Sequence, residues 1–290
     1  MFYASNLKRG KDGELSIQAI EPISETEFSV LMSAFEYMSE INPVNTAYQI
    51  MLRNAREFMY ETSEPVLIEK YFKKKEHEKD IAINANRLIS NFCTSMQTFV
   101  DYAEKAVKRK GKKSCDDFKE CLKSLFDKEF SYRFFYKLRN FCVHYSYPYT
   151  SIQISAPDII ELRCPKKHLM EYTGWGAIVS KGFNDLPDMI DLREYIDHLL
   201  VLLTTIQLNV YLYYGEDIFK ANKAIASFAE NHHLSSPAIL EIDQNNSHHI
   251  RPIPIDNVMN DMKMLEQHPN ARISYVQQVS EMNFNQKGPE

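Results

Sequence analysis

Apolar side chains recur at three- and four-residue steps along most of this 290-residue chain, and each such stretch predicts a helix. The longest runs to about residue 110 from a start near Pro65 or Glu76, with Leu88, Phe92, Met96, Phe99, Ala103 and Val107 on one side and Asn84, Arg87, Asn91, Ser95 and Thr98 on the other. Gly111 is its expected C-terminal stop. Phe134, Phe135, Leu138, Phe141, Cys142 and Tyr145 mark a second stripe, predicting a helix over about residues 131–147. Pro148 ends it, because the residue before a proline is pushed out of the α region. A short helix over 116–127 lies between the two, and helices over about 190–214 and 217–231 follow. Upstream, Ser24 with Glu27 three residues on forms a capping box for a helix to about residue 38, and Pro43 opens another to about residue 62.

Two places read as strands instead. Residues 2–6 and 15–20 flank the polar turn Lys-Arg-Gly-Lys-Asp-Gly and predict a hairpin; residues 151–155 and 159–163 predict two short strands. Beyond residue 232 the chain reads as irregular apart from a helix over 256–267. Eight glycines and twelve prolines among 290 residues favour helix over sheet, so the expected class is mainly α, a helical bundle with a small β insertion and an N-terminal hairpin. With 44% hydrophobic residues the chain can bury a sizeable core. A net charge of −5 argues against a general nucleic-acid coat protein and leaves any RNA contact to a local patch.

The five cysteines form no Cys-x-x-Cys and no paired spacing with histidine, which reads as reduced thiols in a cytoplasmic protein without a zinc site. Neither a metal nor another cofactor is expected. The first residues lack the charged-then-apolar order of a signal peptide, and the apolar stretch 196–214 holds Asp197, His198, Thr204, Thr205, Gln207 and Asn209, so it reads as a core helix and no membrane is expected. Phosphate-cradling Gly-rich loops, a Gly-x-Ser-x-Gly elbow and His-Glu-x-x-His are all missing from the sequence.

Candidate chemistry is concentrated in the run 136–145, Tyr-Lys-Leu-Arg-Asn-Phe-Cys-Val-His-Tyr, where Arg139, Asn140 and His144 stand as Arg-Asn-x-x-x-His. On a helix, Asn140 and His144 are one turn apart on the side away from the apolar stripe, close enough for the amide to hydrogen-bond the imidazole and fix its tautomer. Arg139 reaches round with a forked side chain suited to phosphate oxygens. His144 falls near the last helical turn, where the negative end of the helix dipole favours a protonated ring. An imidazole beside a guanidinium suits phosphodiester cleavage without metal. Candidate substrate-binding residues are Asn91, Tyr145, and Lys108, Arg109 and Lys110 from a run with six positive charges in nine residues. Trp175 is read as a packing anchor sooner than a base-stacking residue. The adjacent pairs His232–His233 and His248–His249 lack companion ligands at metal spacing.

The motif, with the Asn-rich start of the long helix before it and the apolar helix after it, resembles the HEPN superfamily over about residues 80–215. What that resemblance implies is a short helical bundle, usually dimeric, in which an Arg-x(4–6)-His motif, often with Asn after the Arg, performs metal-independent endoribonuclease chemistry. It further implies a toxin or abortive-infection effector in antiphage defence, with RNA, a second copy and an antitoxin or regulatory protein as partners. Under it the chain divides into an N-terminal hairpin and helical appendage (1–75), a HEPN-like bundle (76–232) with a β insertion at 151–186, and an irregular tail with a short helix (233–290). The competing reading from the same residues is a non-catalytic helical module whose polar pocket binds RNA, a nucleotide or a partner protein.

Overall fold

The computed structural model describes residues 1–10, 12, 14–155 and 159–270. Lys11 and Gly13 of the expected hairpin turn, residues 156–158 of the expected insertion and residues 271–290 of the expected tail lie outside them. The structure is mainly helical, 68% helix against 14% strand, as the glycine-poor, helically periodic sequence requires.

In chain order the elements are β1 (Phe2–Arg9), β2 (Leu15–Ile23), α1 (Glu25–Ser33), α2 (Met38–Glu61), α3 (Glu64–Ile68), a π-helical turn (Glu69–Lys73), α4 (Glu78–Arg109), α5 (Lys112–Lys128), α6 (Phe130–His144), β3 (Ser151–Ser155), β4 (Ile159–Arg163), α7 (Lys166–Met170), α8 (Ala177–Gly182), α9 (Ile196–Tyr213), α10 (Gly215–Asn231), β5 (Pro237–Ile242), β6 (His248–Pro252) and α11 (Ile255–Gln267). Ser24 caps α1 as expected, its Oγ accepting from Glu27 N at 3.1 Å. Pro43 lies inside α2, which starts earlier because residues 38–41 already donate to carbonyls of 35–37. Gly111, at φ 107°, separates α4 from α5 in a conformation other residues rarely adopt.

Two compact units result, residues 1–41 with 208–290 and residues 42–207, the divisions falling within α2 and α9. The expected partition had its boundaries at 75 and 232. In the first unit the hairpin is half of a four-stranded antiparallel sheet in the order β2-β1-β5-β6, so the stretch expected to be an irregular tail supplies two strands. Burial explains it: Ala4, Ser5, Ala238 and Ile239 are fully buried where β1 pairs with β5. α10 packs against α1, α11 and β5. At the C-terminal end of α10, His232 places Nδ1 2.6 Å from Glu21 Oε1 of β2 and Nε2 2.7 Å from Glu27 Oε1 of α1.

Burial opposes the charge on His232, but the hydrogen bonds and charges of Glu27 and Glu21 outweigh it and raise its pKa above the ordinary 6.5. A raised folded-state value gives stability that is complete below 6.5 and is lost as pH rises through the folded value. The unfolding midpoint is therefore expected to fall on going from pH 6 to alkaline pH, and His232→Gln to flatten that slope in thermal melts. An equal slope in the variant would remove His232 as its source.

In the second unit α4 contacts α5, α6 and β3. β3 and β4 pair over the expected residues, with Ile152 and Ile160 turned inward onto Leu67 and Ile81. α9 belongs to the one described segment, Leu192–Tyr213, long and apolar enough to cross a bilayer. Its Ile196, Leu199, Leu203 and Ile206 are fully buried, while the outer side of its first turn carries exposed His198, whose Nε2 lies 3.0 Å from Glu129 Oε2. Those features suit a core helix.

Candidate active site on helix α6

α6 is held by its apolar side. Phe134, Phe135, Leu138 and Phe141 are fully buried; Phe135 meets Phe92 of α4 edge-on at 5.8 Å, and Phe134 and Phe141 stack on Trp175 at 5.6 and 5.7 Å. Trp175 is 2% exposed and donates Nε1–H to the Leu169 carbonyl at 2.6 Å, a packing anchor with no face left for a base. The helix closes where Tyr145 N and Ser146 N both donate to Phe141 O.

Past Pro148 the chain is gripped again. Asn86 of α4 donates Nδ2–H to Tyr149 O at 2.8 Å and accepts Tyr149 N–H at 2.9 Å, so its carboxamide mimics a strand partner for one residue. Because Asn86 is buried, Asn86→Ala would leave an N–H and a C=O without partners, at about 1–3 kcal/mol each. The expected result is a loss of about 3 kcal/mol in denaturant melts, with rapid hydrogen exchange at the Tyr149 amide. An amide that stays protected would show that Asn86 does not hold this segment.

Between these two anchors lies the motif. Arg139 and Asn140 are half-buried and His144 is exposed. Arg139 Nη1 donates to Asn140 Oδ1 at 3.2 Å, so the amide oxygen of Asn140 is engaged by the guanidinium. Arg139 Nε is buried and meets no partner among the described residues. Such an unmade bond to a charged donor costs stability and calls for an explanation. Arg133, Lys137, Asn140 and His144 follow at steps of four, three and four along one side of α6, the first three half-buried and His144 exposed. Lys137 and Arg133 were not among the expected site residues, though their spacing from His144 was visible in the sequence.

The other expected residues divide. Asn91 is exposed and lines a groove of about 310 Å³ with Ile83, Asn86, Arg87, Ser90 and Tyr147, which brings it to the segment just past His144. Asn84 instead accepts from Arg87 at 2.9 and 3.1 Å, and buried Ser95 accepts from Asn54 Nδ2 at 2.9 Å. Tyr145, counted in the apolar stripe, is 49% exposed because the helix ends before it; its ring packs on Phe141 and Tyr172, and its hydroxyl donates to Glu171 at 3.5 Å. Lys108, Arg109 and Lys110 sit at the far end of α4, 23 residues or about 35 Å from Asn86 at 1.5 Å per residue. Within one chain they do not share a site with His144. Sequence reasoning also missed His168, whose Nε2 hydrogen-bonds the Tyr147 carbonyl at 3.0 Å and whose Nδ1 lies 3.5 Å from Glu171. Nothing in its local sequence marked it.

Burial pushes the neighbouring Cys142 thiol up to about 12 and Cys93 well above its usual range, so neither is a nucleophile near neutral pH. The chain matches no family model, no curated protein and no solved structure.

Proposed function

We propose that this chain is a metal-independent endoribonuclease of HEPN type. The observation that carries the reading is the outward face of α6, where His144 stands exposed in line with Asn140, Lys137 and Arg133 while Arg139 is tied to Asn140. His144 acts as general base toward a 2′-hydroxyl or general acid toward the 5′-oxygen, and Arg139 stabilises charge on the phosphate. Asn140 orients the guanidinium. Asn91 and Tyr147 take a nucleotide beside the scissile phosphate in the groove they line.

One copy offers one titratable ring and a short row of cations, whereas transesterification uses both an acid and a base. Two copies related by a two-fold axis supply both, so the working form is a homodimer with the α6 ends facing each other. Light scattering at micromolar concentration is expected to give twice the chain mass; a strict monomer would overturn this assembly. In a cell such an enzyme would serve as a toxin or antiphage effector, restrained by an antitoxin or regulatory protein.

Incubating purified protein with total RNA in EDTA tests the chemistry. Fragments with 2′,3′-cyclic phosphate and 5′-hydroxyl ends are expected. Cleavage that appears only when Mg²⁺ is added, or fragments with 5′-phosphates, would defeat the reading.

A further inference from the structure

On the second unit a cavity of about 220 Å³ is lined by Thr62, Leu67, Tyr149, Ile160, Glu161, Leu162, Met189, Ile190, Asp191 and Arg193. Its polar groups are organised. Arg193 Nη2 donates to Asp191 Oδ2 at 2.6 Å, Nε to both carboxylate oxygens at 2.9 and 3.1 Å, and Nη1 to the Thr62 carbonyl at 2.9 Å. Burial opposes ionisation of Asp191, yet the bonds from Arg193 outweigh it and hold the carboxyl below its usual range. A guanidinium has five N–H donors, so Nη1 and Nη2 each keep one beyond those bonds. Tyr149, 5% exposed, lines the same space, and its hydroxyl meets no hydrogen-bond partner among the described residues. The hydroxyl is not among the fully enclosed unpartnered atoms, so it opens onto the cavity and can donate to an occupant there.

The chemistry of the lining narrows the occupant. Asp191 cancels the charge of Arg193, and Glu161 adds a further negative charge at the exposed side, so phosphate or carboxylate is disfavoured. What remains is a donor-rich wall beside a carboxylate with spare lone pairs, facing the apolar side chains of Leu67, Ile160, Leu162 and Met189. The volume is below the roughly 300–1,000 Å³ of pockets for drug-sized ligands. We propose that this cavity binds a small neutral ring carrying a carbonyl beside a ring N–H, as uracil and guanine do. The carbonyl accepts from Arg193 and Tyr149, and the ring N–H donates to Asp191. Because Tyr149 is five residues past His144 and pinned by Asn86, an occupant bears on the segment that follows the motif.

Calorimetric titration of the full chain with uracil, 1,3-dimethyluracil, inorganic phosphate and an oligouridylate tests the site. Uracil is expected to bind, 1,3-dimethyluracil at least about tenfold more weakly for want of a ring N–H, and phosphate not at this site. Tyr149→Phe, which removes a hydroxyl the fold does not use, should lower uracil affinity about fivefold, the worth of one hydrogen bond, with an unchanged melting temperature. Met189→Trp, filling the mouth, should abolish binding. An oligouridylate that competes with uracil would place the ring within RNA; one that does not would make it a free small molecule. Failure of uracil to bind at millimolar concentration, equal affinity for the dimethyl ring, or undiminished binding by Tyr149→Phe would each overturn the assignment. None of these outcomes depends on whether the chain cleaves RNA.

Discussion

His144→Ala and Arg139→Ala are each expected to lower RNA cleavage by about 10²-fold or more, the usual consequence of removing a general acid–base or an electrostatic catalyst. Arg139→Lys should fail as well. An ammonium cannot keep Asn140 engaged at 3.2 Å with one nitrogen and present others to phosphate oxygens in a fixed plane. Lys137→Ala, one row along the same face, should raise the RNA concentration needed for half-maximal rate more than it lowers the maximal rate, because a half-exposed cation there steers the backbone. Since His144 is exposed, its replacement should leave the melting temperature within a degree or two. A folded His144→Ala protein that cleaves at the wild-type rate would end the catalytic reading of α6.

Trp175→Ala should produce the largest loss of stability. The indole is 2% exposed, stacks on both Phe134 and Phe141, and meets Phe183 edge-on at 5.1 Å. Truncating a buried tryptophan costs about 3–5 kcal/mol, and the Leu169 carbonyl would lose its donor besides. For a chain of this size that corresponds to a drop on the order of 10 °C in the melting midpoint. Trp175→Phe retains a ring between the two phenylalanines and should recover more than half of the loss. If Trp175→Ala weakened RNA binding while the melt stayed unchanged, the ring would be a ligand contact and its packing role would be wrong.

Legibility followed the distance over which each element is decided. β3 and β4 were readable to the residue because each strand and its partner lie within thirteen positions, and Ile152 and Ile160 face inward as the pattern requires. α6 was readable from its phenylalanine stripe and Pro148, and with it the order Arg139, Asn140, His144. Tyr145 misled, since its spacing extends the stripe but the backbone leaves the helix there at φ −130°. β5 carried no alternating signal, because Pro237, Ala238, Ile239 and Leu240 are all buried, and its partner β1 is more than two hundred residues away. The surroundings of the candidate site were equally silent. Asn86 and Tyr149 are 63 residues apart, and His168 reaches the Tyr147 carbonyl across 21. Such pairings are decided by packing, which a single sequence does not display.

The sheet order β2-β1-β5-β6 also sets a timetable for biosynthesis. When the β1–β2 hairpin leaves the ribosome, the other edge of β1 has no partner, and Ser236, whose amide Asn6 receives, is 230 residues downstream. At about 5–20 residues per second that edge waits on the order of tens of seconds. An unpaired strand edge is a template for pairing with other chains. Residues 42–207, which carry α6, are by contrast complete before β5 is made. A nascent or prematurely terminated chain would therefore hold the whole candidate catalytic helix while its sheet stood open, and the emergence of β5 is the moment at which that exposed edge is retired.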